Sequence, residues 1–243
     1  MKDILFLIPA RSGSKGVKDK NIKKLFGIPL LAIRGLSALS ITEKENVWLS
    51  TDSDTYAKVG TEYGLSVPFM RPEYLSNDKA SSMDVVLHAM QYAESIGRKY
   101  EMIALLEPTS PFIYRENLLD AIITLRTDNE ASSIVATKKV ETASIFIQED
   151  RKYLDILSAN LIKAKSYRRQ DFLSEVTPSG GFYISKWNDF IVNKTFYTDK
   201  TLSYVLPDEC SLEIDHILQF HWAEFLVEKE IIDINKIYEN GII

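Results

Sequence analysis

Short apolar runs of strand length alternate with segments of helical period along the first 140 residues, and this alternation most constrains what the chain can fold into. Ile4–Ile8, Val47–Ser50, Met102–Leu106 and Ala131–Thr137 are too short for helices and end at turn-forming residues. Between them, Pro29–Ser40, Ser81–Gly97 and Glu116–Arg126 have helical character; Val85, Val86, Ala89, Met90 and Ala93 mark one face of the second. Pro29 suits a first helical turn, Gly97 a C-terminal stop, and Ser53 or Asp54 can cap a further helix. Strand alternating with helix predicts an α/β fold, a mainly parallel, doubly wound sheet covered on both faces. Ligands of such sheets bind outside the carboxyl ends of the strands, which is where stretches 9–21, 51–54 and 107–111 fall.

A length of 243 residues suits one domain, and the weaker pattern from about Lys138 to Thr177 is expected to be a small antiparallel excursion from it. With 45% hydrophobic and 26% charged residues, disordered and fibrous classes are excluded. The lone cysteine, Cys210, excludes an internal disulfide and a cysteine-only zinc site. No apolar run approaches membrane-spanning length, and Met1-Lys2-Asp3 leads straight into a strand without a signal-peptide core, so a soluble cytoplasmic protein is expected. A formal charge of −5 argues against nucleic acid as a partner. Locally the balance reverses. Residues 11–24 hold Arg11, Lys15, Lys18, Lys20, Lys23 and Lys24 against Asp19 alone. An acidic chain that concentrates cations in one glycine-containing stretch points to a small polyanion bound there.

The stretch Pro9-Ala10-Arg11-Ser12-Gly13-Ser14-Lys15-Gly16 follows a buried strand and leads to Lys20-Asn21. Small residues let backbone approach an anion, and flanking cations neutralise phosphate charge. The spacing is neither G-x-x-x-x-G-K-[ST] nor G-x-G-x-x-G, which disfavours P-loop and dinucleotide folds of the usual kind. This stretch resembles the N-terminal signature of the acylneuraminate cytidylyltransferases. Further similarities follow in family order: S-T-D-S-D at 50–54, R-P-E-Y-L-S at 71–76 and A-S-S-M-D-V-V at 80–86. L-E-P-T-S-P at 106–111, R-R-Q-D at 168–171, S-G-G-F-Y-I at 179–184 and E-I-D at 213–215 complete the series.

The resemblance implies a nucleotidyltransferase-type sheet and the transfer of CMP from CTP to a nine-carbon 2-keto sugar acid, with release of pyrophosphate. It implies that Arg11 and Lys20 act on the triphosphate, aided by Mg²⁺. Ala10, Ser12, Gly13, Ser14, Lys15 and Asn21 would then hold the nucleotide, and Arg71, with Ala80 and Ser82, would read the cytosine. For the sugar it implies Glu107, Thr109, Ser110, Gln170, Gly180 and Gly181, with Arg168 or Arg169 meeting the carboxylate. It also implies a homodimer built through the excursion. One departure matters: Glu107 stands where sialic acid-activating members usually carry glutamine. A carboxylate cannot donate, so the contact there must differ, which favours a legionaminic-type acceptor.

Ser211-Leu212-Glu213-Ile214-Asp215 alternates polar and apolar residues, as an extended segment would, with Leu212 and Ile214 inward. Glu213 and Asp215 then share a face and can hold Mg²⁺ that takes its other ligands from water and phosphate. Two uncompensated carboxylates would repel one another without a cation, whereas Asp52 and Asp54 are accounted for by helix capping. His88, His216 and His221 give no metal spacing, and Phe220, Trp222 and Phe225 suggest a helix packed on the sheet. The neighbouring alternatives are a 3-deoxy-octulosonate or sugar 1-phosphate nucleotidyltransferase, or a non-catalytic nucleotide-sugar binding protein on the same fold.

Overall fold

The structure is a computed structural model and describes residues 1–14, 16–140 and 175–238. Most of the excursion, together with Lys15, Arg168, Arg169 and Gln170, lies outside the described residues. The main sheet has six strands: β1 (Ile4–Pro9), β4 (Val47–Ser50), β5 (Met102–Leu105), β6 (Ser133–Lys139), β7 (Val176–Lys186) and β8 (Thr201–Val205). Their order is β4-β1-β5-β7-β6-β8. Pairings β1–β4, β1–β5 and β6–β8 are parallel; β7 alone runs antiparallel to its neighbours β5 and β6. A two-stranded ribbon, β2 (Lys24–Leu25) and β3 (Ile28–Pro29), turns through Phe26 and Gly27, both at positive φ, as tight hairpin turns require.

Among the described residues the α-helices are α1 (Leu30–Leu39), α2 (Asp54–Glu62), α3 (Ser82–Ser95), α4 (Arg115–Thr127), α5 (Trp187–Asn193) and α6 (Ile217–Glu228). Ser53 caps α2 by accepting from the Tyr56 amide, and Ser81 caps α3 by accepting from the Asp84 amide. Alternate residues of the strands feed opposite layers. Ile4, Phe6 and Ile8 pack with α1, α2 and α4, whereas Leu5, Leu7 and Trp48 pack with α3 and α5. The sheet is thus mostly parallel and covered on both faces. No helix among the described residues is long and apolar enough to cross a membrane.

Helix α6 departs from expectation. It packs over the outer side of α1 through Phe220, Ala223 and Leu226, in a third cluster with Leu30, Ile33 and Phe112, instead of on the sheet. Trp222 and Phe225 stack on each other at 5.0 Å on its exposed side. The two described ends of the excursion lie side by side: Lys138 pairs with Thr177 and Lys139 with Val176 in the antiparallel β6–β7 ladder.

Candidate functional site

The connection from β1 leads to β4 on one side, and the chain then crosses to β5 on the other. The crevice outside the carboxyl ends of β1 and β5 is therefore the topological switch point at which open α/β sheets bind ligands. A cleft of about 260 Å³ opens there, lined by Arg11, Lys20, Asn21, Arg71, Glu107 and Thr109 among others. Because β7 runs antiparallel, its N-terminal half reaches the same edge and brings Gly180 against Ser110 and Glu213.

The loop after β1 is held from below. Buried Ala10 donates its amide to the Ser50 carbonyl at 2.9 Å. Asp52 accepts from both the amide and the hydroxyl of Ser12, at 2.7 and 2.8 Å. Burial alone would raise the Asp52 carboxyl, but these bonds and nearby Arg71 outweigh it and hold the group below its usual value. Asp52 is thus a loop clamp and not the helix cap inferred from sequence, a role that Ser53 fills. Asn21, 7% exposed, donates to the Arg11 carbonyl at 3.1 Å and so braces the loop while also lining the cleft. Gly13, exposed at φ +73, supplies a turn that other residues adopt at a cost. Gly16 lies so close to the segment before α6 that a Cβ placed there would meet the Asp215 carbonyl oxygen at 2.2 Å.

Both cations assigned to phosphate are engaged by carboxylates. Arg11 donates to Asp78 at 2.8 Å and to the Ser76 carbonyl at 3.4 Å. Lys20, in a 3-10 turn rather than a free loop, donates to the Ile214 carbonyl at 2.8 Å and to Asp215 at 3.0 Å. Arg71 is buried and donates to the Ser50 hydroxyl at 3.0 Å and to the Ser50 carbonyl. Burial lowers its guanidinium to about 10, against the pull of Asp52 and Glu107. Ser14, Ala80 and Ser82 also line the cleft, the last two from the N-terminal end of α3.

Glu107 follows β5, its carbonyl fixed by the Ser110 amide at 3.2 Å. Burial pushes its carboxyl up to about 7; Arg71 and Lys20 pull it down, Glu213 and Asp215 push it up. Such a group is partly neutral at neutral pH and can donate one hydrogen bond, so a legionaminic preference no longer follows from the loss of glutamine. Thr109 faces the cleft and its carbonyl accepts from the Ile214 amide at 2.8 Å. Ser110 is 1% exposed and points its hydroxyl towards the Ser179 carbonyl, away from the cleft lining. Gly180, at φ +65, lies 3.1 Å from Glu213 and Ser110 when given a Cβ. Gly181 serves packing: a Cβ there would meet Ile113 at 2.8 Å and Leu206 at 2.9 Å.

The segment before α6 is neither helix nor strand, with Ile214 fully buried and Leu212 packed against the same cluster, as its alternation required. Its carboxylates do not lack compensation, which corrects the repulsion argument: Glu213 pairs with Lys138 at 3.2 Å and Asp215 with Lys20 at 3.0 Å. Among the described residues no three His, Cys, Asp or Glu side chains converge as a cage for an ion. Two oxygen donors fit a hard cation that draws its other ligands from water and substrate.

Two features carried no sequence signal. One is Asp78, which reaches Arg11 from a distant loop. The other is Arg34, fully buried in α1, which donates to the Gly181 carbonyl at 3.0 Å while its Nε and Nη1 find no partner among the described residues. Burial lowers its guanidinium to about 9.

The chain is 34% identical to an N-acylneuraminate cytidylyltransferase of Escherichia coli over 227 residues, 93% of this chain and 52% of the relative. It therefore spans about half of that relative's length. A CMP-N,N'-diacetyllegionaminic acid synthase of Legionella pneumophila is 30% identical over 230 residues, covering 93% of this chain and 96% of the relative. Among solved structures, a CMP:2-keto-3-deoxy-manno-octonic acid synthetase complexed with CTP superposes with a TM-score of 0.65 at 14% identity. That likeness of fold covers 93% of this chain and 99% of the other. The family model for cytidylyltransferases matches residues 5–232. The match runs from β1 through α6 and takes in every strand of the main sheet: the chain belongs to the cytidylyltransferase family.

Proposed function

We propose that this protein transfers CMP from CTP to the anomeric hydroxyl of a nine-carbon 2-keto sugar acid of sialic or legionaminic type, releasing pyrophosphate. The observation that carries this reading is the convergence, at the β1/β5 switch point, of Arg11, Lys20, Arg71 and Glu107 on one cleft. It is the charge pattern that a triphosphate needs, and relatives named for sialic and legionaminic acids support the acceptor class. Arg11 and Lys20 exchange their bonds to Asp78 and Asp215 for phosphate oxygens, and these carboxylates keep the two cations oriented and neutralised until then. The loop clamped by Asp52 offers its amides to the phosphates, and Arg71 reaches the cytosine edge.

Asp215 and Glu213 would hold Mg²⁺, which when bound neutralises the triphosphate and polarises the reacting phosphorus. Release of Asp215 from Lys20 frees both groups for CTP at once. The gene product works as a cytoplasmic homodimer in this reading; light scattering tests the dimer. The main test is pyrophosphate release from CTP with a panel of sugar acids, the product identified by mass. A CMP adduct of one nine-carbon acid is expected. No release with any acid, alongside measurable CTP binding, would favour a silent nucleotide-binding protein.

A further inference from the structure

The attacking hydroxyl must lose a proton, and the reaction as set out above names no group to take it. A proton acceptor needs free lone pairs inside the cleft, close to the phosphate-binding cations. The carboxylates around the cleft differ sharply in this respect. Asp52 spends both oxygens on Ser12, Asp78 is engaged by Arg11, Glu213 by Lys138 and Asp215 by Lys20. The Glu107 side chain makes no hydrogen bond or ion pair with any other described residue, yet it lines the same cleft as Arg11, Lys20 and Arg71. It also sits at the carboxyl end of β5, beside Thr109 and across from the approach of β7, where an acceptor sugar would enter.

We infer that Glu107 is the general base that takes the proton of the anomeric hydroxyl. This rests on the proposed cytidylyl transfer. The hydroxyl oxygen forms its bond to the α-phosphorus as its proton passes to a Glu107 carboxylate oxygen. The bond from the α-phosphorus to the bridging oxygen breaks, and its electron pair leaves with pyrophosphate. Glu107 then gives the proton to water once the products depart. The groups around it suit a base working near neutrality. Burial and the charges of Glu213 and Asp215 raise its proton affinity, Arg71 and Lys20 lower it, and its own charge acts in turn on Arg34 of α1 and Tyr183 of β7.

Glu107→Gln keeps the shape of the side chain and removes its basicity. The full-length variant is compared with wild type for pyrophosphate release at saturating CTP and acceptor, from pH 5.5 to 9, with CTP binding followed by calorimetry. The base form lies above the pKa, so wild-type kcat should rise with pH through neutrality. In Glu107→Gln, kcat should fall by about 100-fold or more and lose that rising limb, with CTP affinity unchanged. Formate added to Glu107→Ala should restore part of the rate, which a purely structural role would not allow. Glu107→Gln with near-wild-type kcat and an unchanged pH profile, in an assay where wild type is active, would overturn this inference alone. A wild type silent with every acid would overturn it together with the transfer reaction beneath it.

Discussion

Gly16→Ala offers a sharp test of how the phosphate loop and the metal segment are joined. A Cβ at Gly16 would lie 2.2 Å from the Asp215 carbonyl oxygen, 3.4 Å from its carbonyl carbon and 3.5 Å from the His216 Nδ1. The oxygen belongs to backbone, so no rotamer change relieves the overlap. Restoring ordinary contact needs the two segments to part by about 1 Å, a strain of roughly 1–3 kcal/mol for an inserted methyl. Gly16 is exposed, so the loop can yield outward, and the melting temperature should drop by only a few degrees, at about 2–4 °C per kcal/mol for a chain of this size. Function should suffer far more. The same displacement pulls Arg11 and Ser12 away from Lys20 and Asp215, and a shift of about 1 Å in a reacting geometry costs on the order of 100-fold in rate. The assay is initial-rate pyrophosphate release at saturating substrates, with thermal unfolding in parallel. Gly13→Ala is the control: its Cβ meets nothing within 4 Å, so it bears only the cost of its positive φ, about 1–2 kcal/mol. Wild-type turnover in Gly16→Ala would refute the close apposition of loop and segment in the working enzyme.

Four other outcomes follow from the structure. Lys20→Ala should lower kcat by about 100-fold, and because Lys20 also pins the Ile214 carbonyl, it should loosen the segment that carries Asp215. Asp215→Asn should lose nearly all Mg²⁺-dependent pyrophosphate release while still folding, and Glu213→Gln should lose less; full activity of Asp215→Asn at saturating Mg²⁺ would move the ion elsewhere. Arg71→Ala should raise the KM for CTP more than it lowers kcat, with unchanged CTP dependence removing Arg71 from the nucleotide site. Arg34→Met exchanges a buried guanidinium with two unpartnered nitrogens for an apolar chain of similar length, so its melting temperature should equal or exceed wild type. A clear fall would mean that the guanidinium is better satisfied than its described contacts indicate.

Much of this was legible without coordinates because it is local. Period and turn residues set β4 at Val47–Ser50 and a helix over Ser81–Gly97, and the ligand rule for parallel sheets pointed to the loops after β1 and β5. The alternation from Ser211 to Asp215 foretold that Ile214 turns inward, since a period of two needs no distant partner to be visible. What the sequence could not carry was pairing between distant parts. Nothing in Val176–Lys186 says that the strand runs antiparallel between β5 and β6, yet that direction brings Gly180 to the cleft. Charges that looked free were bound across long separations: Arg11 by Asp78, Lys20 by Asp215, Glu213 by Lys138. The position of α6 was decided by the apolar outer side of α1, which competes with the sheet for the same helix face. The protonation of Glu107 was decided the same way, since burial and a balance of neighbouring charges act through space and depend on which side chains the fold gathers around the carboxyl.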